Sequence, residues 1–386
     1  MKPKVYIVSN YHPFYKLPLL RALAKDNEID YYFISGLEAD IKINNLSEEI
    51  LSQNHLQWTR VKNYWLFRKR MLWQKGVLKS AASGNYDCIV FLANPYYITN
   101  WLGILIAHLR KKKIVLWGHF TLRYSRLDPI KTLFYGLADG CLLYGNWAKQ
   151  QLIERGFSPD RLFVVYNSLD YEHQIECRRM ITHEKRNIRR QISFKSSDLP
   201  ILLFIGRLTR RKKLNLLIEA AAKLHVNHLP VNVLLIGDGE EKDFLMNLVN
   251  FFGLNDFVVF YGETYDEEKL AELISLSDVC VSPGEVGLNA IHALVYGTPV
   301  ITHNNPCEQG PEFEAIKPGI SGAFFEIGSI DSLTEVIYQW LVTKNSQRET
   351  VRADCYRVID QFYNPQNQAI AIKSAIIKTM NISSRI

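Results

Sequence analysis

The stretch Ser282-Pro283-Gly284-Glu285-Val286-Gly287-Leu288-Asn289-Ala290-Ile291-His292-Ala293-Leu294-Val295-Tyr296-Gly297-Thr298-Pro299-Val300 constrains the fold more than any other part of this chain. It reads as the end of an apolar strand, a glycine turn, a short helix, a glycine stop and the start of the next strand. Such a βαβ unit commits the chain to a parallel sheet. A glycine turn that opens a helix also leaves amide N–H groups unpaired at the positive end of the helix dipole, where phosphate is well accommodated.

Two more segments repeat the pattern. Phe204-Ile205-Gly206-Arg207-Leu208-Thr209-Arg210-Arg211-Lys212-Lys213-Leu214 runs from an apolar strand into a basic turn, and Leu234-Leu235-Ile236-Gly237-Asp238-Gly239-Glu240 ends a strand in a glycine-flanked turn. In a parallel sheet such turns share one edge, the edge at which doubly wound folds bind ligands. Upstream, strands are expected near Val5–Val8, Tyr31–Ile34, Ile89–Leu92, Ile114–Trp117, Cys141–Tyr144 and Phe163–Tyr166. Downstream they are expected near Leu202–Ile205, Val233–Ile236, Val258–Tyr261, Val279–Val281 and Val300–Ile301. At 386 residues the chain exceeds the ~250–300 at which one core stops growing, so two α/β domains are expected. The boundaries read as 1–172, a basic and largely helical linker at 173–199, a second domain at 200–345, and helices at 346–386 broken at Asn364-Pro365.

Hydrophobic content of 47% suits packed cores. The chain starts directly in a strand pattern without an apolar leader, and no apolar run approaches the ~20 residues of a membrane span, so a cytoplasmic protein is expected. The six cysteines are scattered without paired spacing and read as buried thiols. The net charge of +7 is clustered at Arg68-Lys69-Arg70, Lys111-Lys112-Lys113, Lys185 to Arg190 and Arg210 to Lys213. No nucleic-acid module accompanies these clusters, and nucleic acid is not expected as a partner. Arg60 to Trp73 mixes cations with aromatic rings, a composition suited to the anionic inner face of the cell membrane.

Gly206-Arg207-Leu208 with Lys212, Gly237-Asp238-Gly239-Glu240, Val258 to Gly262, Gly297-Thr298-Pro299-Val300-Ile301 and the Asn167-Ser168-Leu169-Asp170 turn, taken in this order, resemble the retaining family-4 glycosyltransferases of bacterial surface-polysaccharide type. The resemblance is strong from about Asn167 to Gly322 and weak before it. It implies the GT-B fold: two facing Rossmann-like doubly wound domains, the first on the acceptor side, the second binding the donor, with a C-terminal crossover helix. It implies a nucleoside-diphosphate sugar as donor, UDP or GDP, and a glycan or lipid-linked acceptor. Arg207 and Lys212 would stabilise the leaving diphosphate. Gly206, Gly237, Gly262, Glu263, Gly284 and the amides of Gly287 and Leu288 would line the donor. His119, ending an apolar strand, would lie by the transferred sugar. No cofactor is implied and no metal, in keeping with the lack of any Asp-X-Asp triplet.

The chain departs from the family in one respect. Counting back from Gly297-Thr298-Pro299, the paired glutamates of the family fall on Gly284 and His292. Glu285, one residue beyond, is the candidate to replace the first; His292 can itself bond a ribose hydroxyl or phosphate oxygen. Glu312 and Glu314 read as exposed residues on opposite sides of an extended segment, and Arg210 and Arg211 as solvated. A non-catalytic partner that kept the fold, or an epimerase of the same architecture, are the alternatives.

Overall fold

The computed structural model describes residues 2–38, 45–120, 128–181, 194, 196 and 198–381. The basic run Lys185 to Arg190 lies outside the described residues. Two compact units emerge, the first formed by residues 1–170 and 364–386, the second by 171–363.

The first unit is a seven-stranded sheet. Its strands are β1 (Lys4–Ser9), β2 (Asp30–Ser35), β3 (Trp58–Arg60), β6 (Cys88–Leu92), β7 (Lys113–Gly118), β8 (Gly140–Leu143) and β9 (Leu162–Val164). They lie in the order β3-β2-β1-β6-β7-β8-β9, and every pairing is parallel. Between β3 and β6 the chain forms an antiparallel hairpin of its own, β4 (Lys62–Leu66) with β5 (Met71–Lys75), where the sequence suggested only a mixed basic and aromatic stretch.

Successive side chains of a strand point to opposite faces, and here both faces are covered. Val5 and Ile7 pack on one side with Phe33 and Val90; Val8 packs on the other with Ile34, Ile89 and Phe91. The C-terminal helix Pro365–Asn381 completes the first of these cores with Ile372, Ala375 and Ile376. Its approach to β8 is close: a Cβ at Gly140 would stand 2.5 Å from Thr379 Oγ1. Lys373 on the same helix pairs with Asp26 at 3.1 Å.

The second unit is a six-stranded sheet in the order β12-β11-β10-β13-β14-β15. Its strands are β10 (Ile201–Ile205), β11 (Asn232–Ile236), β12 (Val258–Gly262), β13 (Val279–Ser282), β14 (Val300–His303) and β15 (Gly322–Phe325), again all parallel. Strands β11, β13 and β14 are buried along their whole length, as expected of strands with helices on both faces.

The ends of this unit differ from the expected boundaries. Tyr171–Met180, read as linker, is a helix packed against Glu267–Leu276 and Leu288–Val295, tied by Gln174 and by an Arg178–Asp360 ion pair at 3.2 Å. Of the terminal helices expected on the first domain, Arg348–Phe362 stays with the second unit. There the buried Arg352 guanidinium donates to the carbonyls of Tyr296 and Ser275 at 3.1 and 3.3 Å. Those carbonyls end other helices, so the pairing satisfies groups that would otherwise be orphaned.

Candidate functional site

The carboxyl edge of the second sheet is assembled from backbone. Gly206 follows β10 and Gly237 follows β11, both with positive φ (+139° and +135°), and the Gly206 N–H donates to Ile236 O at 2.9 Å. A Cβ at Gly237 would stand 2.0 Å from Gly206 O, so only glycine lets the two turns meet. The third turn closes on the same basic loop from the other side. Gly284 N–H donates to Lys212 O at 3.0 Å, and a Cβ at Gly284 would lie 2.2 Å from Arg211 O. With the loops zipped together, position 284 has no room for a side chain.

Arg207 is exposed on this rim and makes no hydrogen bond or ion pair among the described residues. Lys212 is sunk below it. Its Nζ donates to the carbonyl of Glu285 at 2.7 Å, and burial holds its pKa below the usual lysine range against the opposing pull of Glu285. The Glu285 carboxylate turns to Arg211, 2.7 Å from its Nε. Arg211 is therefore not merely solvated, and Glu285 already has a cationic partner.

Gly287 caps the Leu288–Val295 helix. Its own N–H is taken by Asn289 Oδ1 at 3.0 Å, whereas the Leu288 N–H makes no hydrogen bond among the described residues. No protein atom lies within 4 Å of where a Cβ at Gly287 would stand, so the open space above this helix end is not forced by the protein itself. The turn is braced from behind by Gln309, whose Oε1 accepts from Val286 N at 2.7 Å while its Nε2 donates to Thr302 Oγ1 and His303 O, each at 2.9 Å. Gly262 ends β12 on the same edge and the exposed Glu263 follows it, with Tyr265 OH donating to the Glu263 carboxylate.

Residues 185–354 match the family described as "Glycosyl transferases group 1". An uncharacterized glycosyltransferase of Methanocaldococcus jannaschii is 31% identical over 45% of this chain and 43% of its own. The lipopolysaccharide core biosynthesis glycosyltransferase LpsE of Rhizobium meliloti is 30% identical over 39% of this chain and 42% of its own. The chain thus spans less than half the length of these curated relatives. Among solved structures, HepE of Anabaena in complex with UDP superposes with a TM-score of 0.73 at 18% identity, covering 98% of this chain and 100% of that one. A glycosyltransferase of Rickettsia africae gives 0.74 at 17% identity over 99% and 100%. The architecture is GT-B.

Inside the second unit, His292 is held away from a solitary role. Its Nε2 lies 2.9 Å from Glu267 Oε1, an oxygen that also receives Tyr296 OH at 2.6 Å and Gln174 Nε2 at 3.0 Å. The imidazole and these hydrogen bonds outweigh burial and bring the Glu267 carboxyl down to about 2. Glu312 and Glu314 lie in a 3-10 turn, Pro311–Ala315, not an extended segment. Glu312 is only 3% exposed, which corrects the expectation of a surface residue. Its carboxylate lies close behind Gly310, beside Gly287, and its charge reaches Lys212. Glu267, Gln309 and buried Glu312 carry no sequence signal for these roles, since each partner is more than twenty residues away or depends on how a turn folds. His119 belongs to the first unit, where it lines a cavity with its ring 5.0 Å from that of Tyr144.

Proposed function

We propose that the protein moves a sugar from a nucleoside diphosphate, UDP or GDP, to a glycan or lipid-linked oligosaccharide with retention of anomeric configuration. The observation that carries this reading is the rim of the second unit: exposed Arg207, sunken Lys212 and the open Leu288 amide around unfilled space above Gly287. A departing diphosphate gains negative charge as the glycosidic bond breaks. Fixed cations and amides aimed at it therefore stabilise the transition state more than the ground state. Arg207 offers a bidentate fork and Lys212 a compact ammonium, together supplying charge that other designs take from a divalent ion. The leaving phosphate then serves as base for the acceptor hydroxyl, with attack and departure on one face of the sugar.

HepE of Anabaena has been crystallised with UDP and with UDP-glucose, and LpsE is named for lipopolysaccharide core biosynthesis, which supports donor and acceptor classes respectively. The test begins with thermal unfolding in the presence of UDP, GDP, ADP and CMP. A ligand at 100 times its Kd stabilises by about 2.7 kcal/mol. UDP or GDP should raise the melting temperature, and the matching sugar nucleotide should give a product of unchanged anomeric configuration at a rate indifferent to EDTA. Absence of any nucleotide shift would sink the reading, and interconversion of the donor without acceptor would replace it by epimerisation.

The acceptor class fits a place on the cytoplasmic face of a membrane. The β4–β5 hairpin ends in Phe67-Arg68-Lys69-Arg70, with Phe67 72% exposed and Leu66 beside it also exposed. A ring that enters the headgroup layer beside cations, each contributing about 1 kcal/mol on anionic lipid, makes a peripheral anchor. No helix among the described residues is long and apolar enough to cross a membrane. Flotation with phosphatidylglycerol vesicles should show binding that Phe67→Ala weakens; equal recovery with and without vesicles removes the anchor.

A further inference from the structure

The first unit contains a cavity of about 430 Å³ walled by the segments that follow β1, β6 and β7. Strands β1 and β6 are neighbours in the sheet, and the strand order reverses between them. The carboxyl end of such a switch point is where doubly wound sheets hold ligands, and the volume lies within the ~300–1,000 Å³ of small-molecule sites.

The lining is electrostatically lopsided. Lys16 Nζ sits 4.8 Å from the centre of the Trp117 ring and donates to Tyr144 OH at 3.0 Å. Among the described residues no aspartate or glutamate lines the cavity and no carboxylate pairs with Lys16. The other lining cation, Lys131, is already matched by Asp128 at 3.6 Å. Burial, reinforced by Lys16, lowers His12 to about 3 and His119 to about 4, so both rings are neutral at pH 7 and add no charge.

Two polar atoms of these lining residues are also without a partner, though both are closed off from the cavity itself. His12 is 4% exposed and Trp117 3%, and neither His12 Nε2 nor Trp117 Nε1 has a hydrogen-bond partner. One ammonium with no carboxylate partner among the described residues, in a cavity whose described lining holds no acid, forms a deficit that an oxyanion fills.

We propose that this cavity binds the acceptor through an anionic group, a phosphate or carboxylate carried by a sugar or polyol, with Lys16 as its counter-ion. The proposal rests on the transferase reading only in calling the ligand an acceptor. Cation and anion brought together in a partly dehydrated cavity attract far more strongly than in water, so removing the charge should abolish discrimination rather than trim it.

The experiment titrates the full chain, with UDP present in excess to occupy the second unit, against inorganic phosphate, glucuronate and glucose in a calorimeter. At least one anion should bind about tenfold or more tightly than glucose. Lys16→Met should erase that preference and Lys16→Arg keep it. Which anion wins separates a phosphorylated acceptor from a carboxylated one. Equal affinity for glucose and both anions, or a preference that survives Lys16→Met, overturns the proposal. UDP binding by each variant checks that it is folded. Should Lys16→Met fail that check, Lys16→Gln takes its place, and an anion preference that survives Lys16→Gln overturns the proposal. Wild-type protein that ignores UDP but shows Lys16-dependent anion binding would defeat the transferase reading and leave this site standing.

Discussion

The two units place their candidate sites at the same edge of the same kind of sheet, yet build them from opposite materials. The second rim is backbone: Gly206, Gly237 and Gly284 let three turns touch, and the chain's own carbonyls and amides zip them together. The first is side chain: Lys16, Trp117, Tyr144, His12 and His119 surround a cavity. A backbone rim presents fixed dipoles that suit any diphosphate. A side-chain cavity is open to change by substitution. The difference suits a division in which the second unit holds a donor part common to many reactions and the first reads the acceptor.

Arg207→Ala is the sharpest way to break that division. Arg207 is exposed and unpaired among the described residues, so its loss leaves packing intact, while loss of one transition-state donor typically costs about 10²–10³ in turnover. Lys212→Ala should cost at least as much, with some stability lost as well, because its Nζ also holds the Glu285 carbonyl. Steady-state kinetics on both variants, set beside anion titration of the first unit, checks the comparison. Near-normal kcat in Arg207→Ala refutes its role, and a parallel loss of anion binding would show that the two sites are not separable.

The same contrast decides what could be read from the sequence. The strand-glycine-helix successions at Gly206, Gly237 and Gly284 gave away the second sheet and its rim, because each glycine answers a local demand of the backbone. Strand β3 was missed because Trp58-Thr59-Arg60 has no apolar alternation to show. The β4–β5 hairpin was missed because its turn, with positive φ at Phe67, Arg68 and Lys69, lacks the glycine or asparagine that marks such turns. Trp117 and His119 were visible as a strand end, but Lys16 belongs to another loop and meets them only in three dimensions. His292 stood out as an anomaly, yet its partner Glu267 looked like an ordinary acidic residue at a helix start.

Glu267 gives the smallest expected effect and sets the second unit apart by pH. Both units contain histidines lowered by burial, His12 and His119 in the first and His303, at about 4, in the second. Each favours the folded state above the ordinary histidine value of 6.5, and that contribution fades as acid protonates the unfolded chain. Glu267 adds a later step. Its carboxyl is brought from 4.5 to about 2, so the folded state prefers the ionised form; the stabilisation is complete above pH 4.5 and disappears as pH falls toward 2. The shift corresponds to on the order of 3–4 kcal/mol. Glu267→Gln should therefore lower the urea stability of the chain by about that amount at pH 7. The gap to wild type should narrow between pH 4.5 and 2, and hydrogen exchange in the Leu288–Val295 helix should quicken more than in β1 or β6. A gap that stays constant across that range would mean that the carboxylate contributes hydrogen bonds and shape alone, and that His292 is placed by packing instead of by charge.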